Sequence, residues 1–180
     1  PAVLVEIIDI VRTYLERGTK IFRLDAVAFI WKQINTECIN LPQTHEIIRL
    51  IRTLTDFYSD EVFLVTETNI PNRENLSYFG NRNEAHLVYN FALPPLILYT
   101  LLNGISGKIK QWLMGMPPAI FGTTYFNFIA SHDGIGLRPI EEILTEEEID
   151  MLAKNIEGAG GKVSYRTKEN SQRPYELNIA

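Results

Sequence analysis

Cysteine is almost missing from this chain: Cys38 is the only one among 180 residues, which excludes an internal disulfide and a cysteine-built zinc site. A lone thiol of this kind is expected as a buried spectator. Positive charge is also in short supply. Seventeen Lys and Arg stand against 22 Asp and Glu, a formal net charge of -5, and no basic stripe interleaved with aromatics occurs, so the electrostatic footprint of a nucleic-acid partner is lacking. Long apolar runs are absent as well. The longest, residues 93–102, contains Pro94 and Pro95 and falls far short of the roughly 20 residues needed to span a bilayer, which excludes a helical membrane span. The opening Pro1-Ala2-Val3-Leu4 lacks the basic start of a signal peptide, and the expected location is cytoplasmic. There is no internal repeat and no low-complexity tract.

What remains is an ordinary globular composition, 46% hydrophobic and 22% charged, sufficient for one sizeable core. Its apolar residues switch between two periods. Leu4, Ile7, Ile8, Val11 and Leu15 recur at helical spacing over residues 3–17, and Gly18 supplies a stop. A short apolar strand, Ile21-Phe22-Arg23-Leu24, then ends on Asp25. Residues 44–58 read as a helix capped by Thr44, with Ile47, Ile48, Leu50, Ile51 and Leu54 inward. A second strand, residues 61–67, ends on Glu67, and a polar loop occupies residues 69–84. Residues 86–91 read as a strand, 93–103 and 108–114 as helices, and 125–133 as a further strand ending on Asp133.

This alternation of buried strands and helices is the signature of right-handed βαβ units around a parallel sheet. Residues 145–156 then form an acidic-fronted helix with Thr145 as cap, and residues 162–165 and 175–179 flank a polar turn as a hairpin. About four parallel strands are counted, whereas a closed (β/α)8 TIM barrel uses eight and roughly 250 residues. The expected fold is therefore α/β, a portion of such a barrel. Residues 1–144 are assigned to its central part and residues 145–180 to a helix and hairpin excursion.

Strands that each deliver an acid at the carboxyl end are what a β/α barrel uses to assemble an active site. Arg23 lies two residues before Asp25 and so points to the same face, where its guanidinium would keep that carboxylate ionised and able to attack a carbon. Glu67 follows an apolar strand, where partial burial would favour its protonated form and a proton-donating role. Asp133 stands between His132 and Gly134-Ile135-Gly136, glycines that permit close approach of a ligand. Each acid also has a plainer reading: a structural ion pair for Arg23 and Asp25, a solvated strand terminus for Glu67, a hydrogen-bonded structural histidine for His132.

Taken together, two carboxylates with opposed protonation are the requirement of glycoside chemistry, and about 5–5.5 Å between them implies retention by double displacement. A metal site is disfavoured, because no DxDxDG-like loop is present and Arg23 repels a cation. His45 reads as structural, Lys32 as a solvated helix face, and Phe29, Trp31, Tyr78 and Phe79 as core aromatics before sugar-stacking ones.

On these residues the chain resembles the α-amylase superfamily, glycoside hydrolase family thirteen. Phe22-Arg23-Leu24-Asp25-Ala26 is similar to the family's nucleophile strand, Val65-Thr66-Glu67 to its acid/base strand, and Ala130-Ser131-His132-Asp133 to its transition-state-stabilising strand. Phe29-Ile30-Trp31-Lys32, Leu41-Pro42-Gln43-Thr44-His45-Glu46, Tyr89-Asn90-Phe91-Ala92-Leu93-Pro94-Pro95 and His132-Asp133-Gly134-Ile135-Gly136 resemble the sucrose phosphorylase subfamily, and residues 66–80 are closer to its glucosylglycerate phosphorylases.

The resemblance implies that Asp25 forms a β-glucosyl ester, that Glu67 acts as acid and then base, that Asp133 and His132 hold ring hydroxyls, and that Arg23 orients Asp25. It implies inorganic phosphate as co-substrate with an α-glucoside and no metal or organic cofactor. Ala28 and Phe29 stand where many amylases carry the Lys-His that helps form a calcium site. The family's first motif, eighth strand and C-terminal domain find no match, so the chain corresponds to about strands four to seven and is expected to need the rest of its own barrel. The alternatives are an α-glucoside hydrolase or transglucosidase with the same residues, and an inactive carbohydrate-binding or assembly fragment, the last disfavoured because all three acids are kept.

Overall fold

The computed structural model describes residues 2–168 and 171–178, which gather into two units: Pro1–Thr68, Leu76–Tyr89 and Ala119–Tyr125 in the first, Asn69–Asn75, Asn90–Pro118 and Phe126–Ala180 in the second. In chain order the elements are α1 (Ala2–Glu16), β1 (Ile21–Leu24), α2 (Pro42–Tyr58), β2 (Phe63–Thr66), α3 (Asn72–Leu76), β3 (Leu87–Tyr89), α4 (Leu93–Asn103), α5 (Gly107–Gly115), β4 (Thr124–Phe126), β5 (Ile135–Gly136), α6 (Glu146–Gly158), β6 (Lys162–Lys168) and β7 (Ser171–Asn178). No helix among the described residues is long and apolar enough to cross a membrane.

Strands β1 to β4 form one four-stranded sheet in sequential order. β1 runs parallel to β2 with Leu24 opposite Thr66, and β2 runs parallel to β3 with Thr66 opposite Val88. Helices intervene between consecutive strands, the arrangement of a partial (β/α)8 barrel. Gly18, at φ +88°, turns the chain out of α1 and into β1. Ile48 and Ile51 of α2 are buried, as are Leu64 and Val65 of β2 and Val88 of β3.

The second unit has a core of its own. Leu96 and Tyr99 of α4, Trp112 of α5, Leu152 and Ile156 of α6 and Leu177 of β7 belong to one buried cluster, and β5, β7 and β6 form a separate three-stranded sheet in that order. β7 is antiparallel to both neighbours, so the expected hairpin is present. Its connecting residues and Ile179 lie outside the described residues. Thr145 caps α6 with a reciprocal box: its hydroxyl accepts the Glu148 amide, and its own amide donates to Glu148 Oε2.

Four expectations are corrected. The strand expected over residues 125–133 is only Thr124–Phe126. Beyond it Asn127 Oδ1 accepts the Asn90 side-chain amide at 2.9 Å, and Ser131 Oγ accepts the Asp133 amide at 3.2 Å, a local bond to a backbone donor that competes with a sheet ladder. Asp133 is therefore not at the end of a strand. β1 is not buried either: Ile21 is 61% exposed, because β1 is the edge of the sheet. Thr44 does not cap α2. Leu41 is the cap and Pro42 takes the first turn, where its missing N–H costs nothing, which leaves Thr44 buried inside the helix. Cys38 is half-exposed rather than buried. A hydrogen bond to the Gln33 backbone, then one to the Thr36 hydroxyl, holds its pKa below the ordinary thiol value.

His86 is a buried group that gives the first unit a pH dependence. Its Nδ1 accepts the Leu64 amide at 3.0 Å, and burial, followed by the Arg52 charge and opposed by Asp56, holds its pKa below the ordinary histidine value. A depressed histidine contributes stability that is complete above its unfolded value of about 6.5 and is lost as pH falls through the folded one. Urea unfolding is therefore expected to show a lower midpoint at about pH 5.5 than at about pH 7.5, with a smaller difference in His86→Gln. Equal pH sensitivity in the variant contradicts this assignment.

Candidate active site

In-register parallel pairing determines where the two leading acids stand. Leu24 is the last residue of β1 and Thr66 the last of β2, and they are partners, so Asp25 and Glu67 follow as the next row at the carboxyl end of adjacent strands. Strands in a sheet are about 4.8 Å apart, and the two acids leave the backbone at that spacing. The Glu67 amide donates to the Leu24 carbonyl at 3.0 Å, which continues the ladder by one bond past β2.

Two further contacts tie the acids to their surroundings. Arg23 Nη2 lies 2.7 Å from Asp25 Oδ1, with the two side chains 38% and 68% exposed, as the two-residue period of the strand requires. The Arg23 guanidinium also sits over the Tyr89 ring, 5.7 Å from its centroid. Beyond Asp25 the backbone enters the left-handed region at Ala26, with φ 46° and ψ 32°. That turn aims the Ala26 amide at Glu67 Oε2, 2.8 Å away. A half-buried carboxylate is thus fixed by the residue next to the exposed one.

His132 and Asp133 belong to the second unit. His132 Nε2 lies 3.4 Å from Asp133 Oδ2, and both side chains are largely exposed. They line a cavity of about 400 Å³ with Ile97, Leu101, Ile129 and Leu177. The glycines beyond them answer to the chain itself rather than to a ligand: a Cβ on Gly134 would stand 2.6 Å from the Glu176 side chain, and one on Gly136 would stand 2.4 Å from Asn69 Nδ2.

The remaining aromatics divide. Tyr78 and Phe79 are core residues, whereas Phe29 and Trp31 are 44% and 41% exposed, with Lys32 Nζ 5.4 Å from the Phe29 centroid. His45 has the structural role expected of it: its ring stacks on Tyr78 at 4.7 Å, Nδ1 lies 2.7 Å from Glu84 Oε2 and Nε2 lies 3.2 Å from Asn40 Oδ1. Glu84 is a buried acid that the sequence pattern did not single out. It sits in a polar stretch, where nothing in composition or periodicity separates an enclosed carboxylate from a solvated one.

The family model described as alpha amylase, catalytic domain, matches residues 1–133. A glucosylglycerate phosphorylase of Spirochaeta thermophila is 44% identical over 179 residues, an alignment covering 99% of this chain and 30% of that protein. The glucosylglycerate phosphorylase of Allomeiothermus silvanus is 46% identical, covering 98% and 32%. The chain thus spans about a third of the length of these relatives. Among solved structures, sucrose 6F-phosphate phosphorylase from Thermoanaerobacter thermosaccharolyticum superposes with a TM-score of 0.80 at 22% identity, over 95% of this chain and 33% of that one.

Glu84 is 4% exposed at its side chain and faces both His45 and Arg49. Removing one partner of an enclosed ion pair strands the others. Glu84→Ala is expected to lower the unfolding free energy by about 3 kcal/mol, read from denaturant midpoints. A loss within experimental error of zero is inconsistent with this role.

Proposed function

This chain belongs to the α-amylase catalytic-domain family, and from that premise we propose that it is the central part, about strands four to seven, of the barrel of a retaining α-glucosyl phosphorylase. The observation that carries the reading is the placement of Asp25 and Glu67 in one row at the carboxyl ends of β1 and β2, with Arg23 on Asp25. The relatives that are 44% and 46% identical and bear the name glucosylglycerate phosphorylase support phosphorolysis over hydrolysis, with an α-glucoside of the glucosylglycerate or sucrose type as donor.

In the first step Asp25 attacks the anomeric carbon from the β face while Glu67 gives its proton to the departing oxygen, leaving a β-glucosyl ester on Asp25 and a free alcohol. In the second, a phosphate oxygen attacks the same carbon from the opposite face, its proton passes to Glu67, and the Asp25 carboxylate is released with α-glucose 1-phosphate. Two inversions give net retention, and the energy of the glycosidic bond is kept in the phosphate ester. Arg23 orients Asp25 throughout.

On their sequence motif, Asp133 and His132 are assigned to the ring hydroxyls of the glucosyl unit. The enzyme takes phosphate as co-substrate and no cofactor, and its place is the cytoplasm. Residues 1–144 supply barrel and residues 145–180 an excursion from it, a reading supported by the antiparallel pairing of β6 with β7. Catalysis requires the remaining strands of the same barrel.

The test uses the full-length enzyme that contains this segment, given glucosylglycerate with and without phosphate. Glucose 1-phosphate formed only with phosphate is expected, whereas free glucose at equal rates overturns phosphorolysis. Asp25→Asn should lower turnover by about four orders of magnitude and abolish the burst of leaving group from an activated α-glucoside, with the unfolding midpoint unchanged. Glu67→Gln keeps an oxygen for the Ala26 amide, so the fold should survive. Its loss should be about 10²–10⁴-fold for the natural alkoxide and much less for an activated leaving group. Equal losses for both leaving groups refute the acid role.

A further inference from the structure

Leu24, Thr66 and Val88 form one row across β1, β2 and β3. The residue that follows each of them on the carboxyl side is Asp25, Glu67 and Tyr89. Tyr89 therefore ends its strand in the row of the two acids, although it is neither an acid nor part of the motif that drew attention to them. Its ring lies under the Arg23 guanidinium, 5.7 Å from carbon to centroid, and Arg23 Nη2 continues to Asp25 Oδ1 at 2.7 Å. Ring, guanidinium and carboxylate thus form one chain of contacts within the first unit.

The physics of that chain is specific. Arg23 is 38% exposed at its side chain and swings about four rotatable bonds, so its single contact with Asp25 does not define the plane of the guanidinium. An aromatic face within about 6 Å attracts a planar cation electrostatically and favours a parallel stack. At 5.7 Å the Tyr89 ring lies within that range, while Nη2 of the same guanidinium reaches the carboxylate. We infer that Tyr89 is a positioning residue for glucosyl transfer, whose ring holds Arg23 flat so that Arg23 holds Asp25 in line with the anomeric carbon. The inference rests on the reading of Asp25 as nucleophile and deepens it by one residue.

A double-mutant cycle in the full-length enzyme tests it, with an activated α-glucoside as donor and the burst of leaving group as the measure of ester formation. Tyr89→Leu should slow the burst about tenfold, with KM changed less than about twofold because the loss is orientation rather than substrate binding. Tyr89→Phe, which keeps the ring face, should restore the rate to within about threefold. If Tyr89 acts through Arg23, the double variant Tyr89→Leu with Arg23→Ala is no slower than Arg23→Ala alone, whereas a residue that only supports the fold adds its own loss. Should Tyr89→Leu fail to fold, Tyr89→Met takes its place in the cycle. Additive losses, a parental burst in Tyr89→Leu, or a Tyr89→Phe as slow as Tyr89→Leu each overturn the inference. Asp25→Asn run alongside separates the two levels: a burst surviving in that variant refutes the nucleophile itself, while a lost burst with additive losses in the cycle refutes Tyr89 alone.

Discussion

Parallel pairing of β1 with β2 in one register is the constraint from which the rest of the first unit follows. With Leu24 against Thr66, Asp25 and Glu67 must leave the sheet at the same end and one strand spacing apart. A slip of one residue would move a whole strand's side chains to its opposite face and separate the acids from each other. The register is secured by the burial of Leu64 and Val65 on β2, since an interior strand has no freedom to shift without exposing apolar surface or opening a void. β1 is held by its in-register pairing with β2.

Backbone conformation completes what register begins. Ala26, in the left-handed region, is a position where most residues other than glycine are strained, and its amide is directed onto Glu67 Oε2. Strain of this kind is commonly held where a site needs it. Around this point the polar groups are stitched inward: Leu64 donates to His86, and His45 bridges Glu84 and Asn40. These bonds satisfy buried polar groups that would otherwise destabilise the sheet. Within the row itself, Glu67 is held by the Ala26 amide and Asp25 by Arg23.

The second unit is organised differently. Its core is one cluster shared by α4, α5, α6 and β7, and its sheet is antiparallel, with α6 standing in the chain between β5 and β6, and with β7 pairing with both strands. The capping box at Thr145 and Glu148 starts α6, and the acidic first turn of that helix suits its positive end. Family membership and the 0.80 superposition agree with a partial barrel, and the one-third coverage of the relatives accounts for a sheet of four strands where a closed barrel has eight.

By itself the sequence determined the alternation of helices and strands, the parallel barrel class, the cap of α6 and the shared face of Arg23 and Asp25, because each depends on local periodicity or on a residue's own backbone preference. The tertiary structure alone decided the rest. It ended β4 at Phe126, and beyond that point the Asp133 amide is taken by the nearby Ser131 hydroxyl rather than by a neighbouring strand. It buried Glu84 in a stretch that read as polar, set the His86 ring against the Leu64 amide, and brought Tyr89 beneath Arg23. Contacts such as these join residues dozens of positions apart, and no pattern of spacing along one segment encodes which side chain from another will meet it.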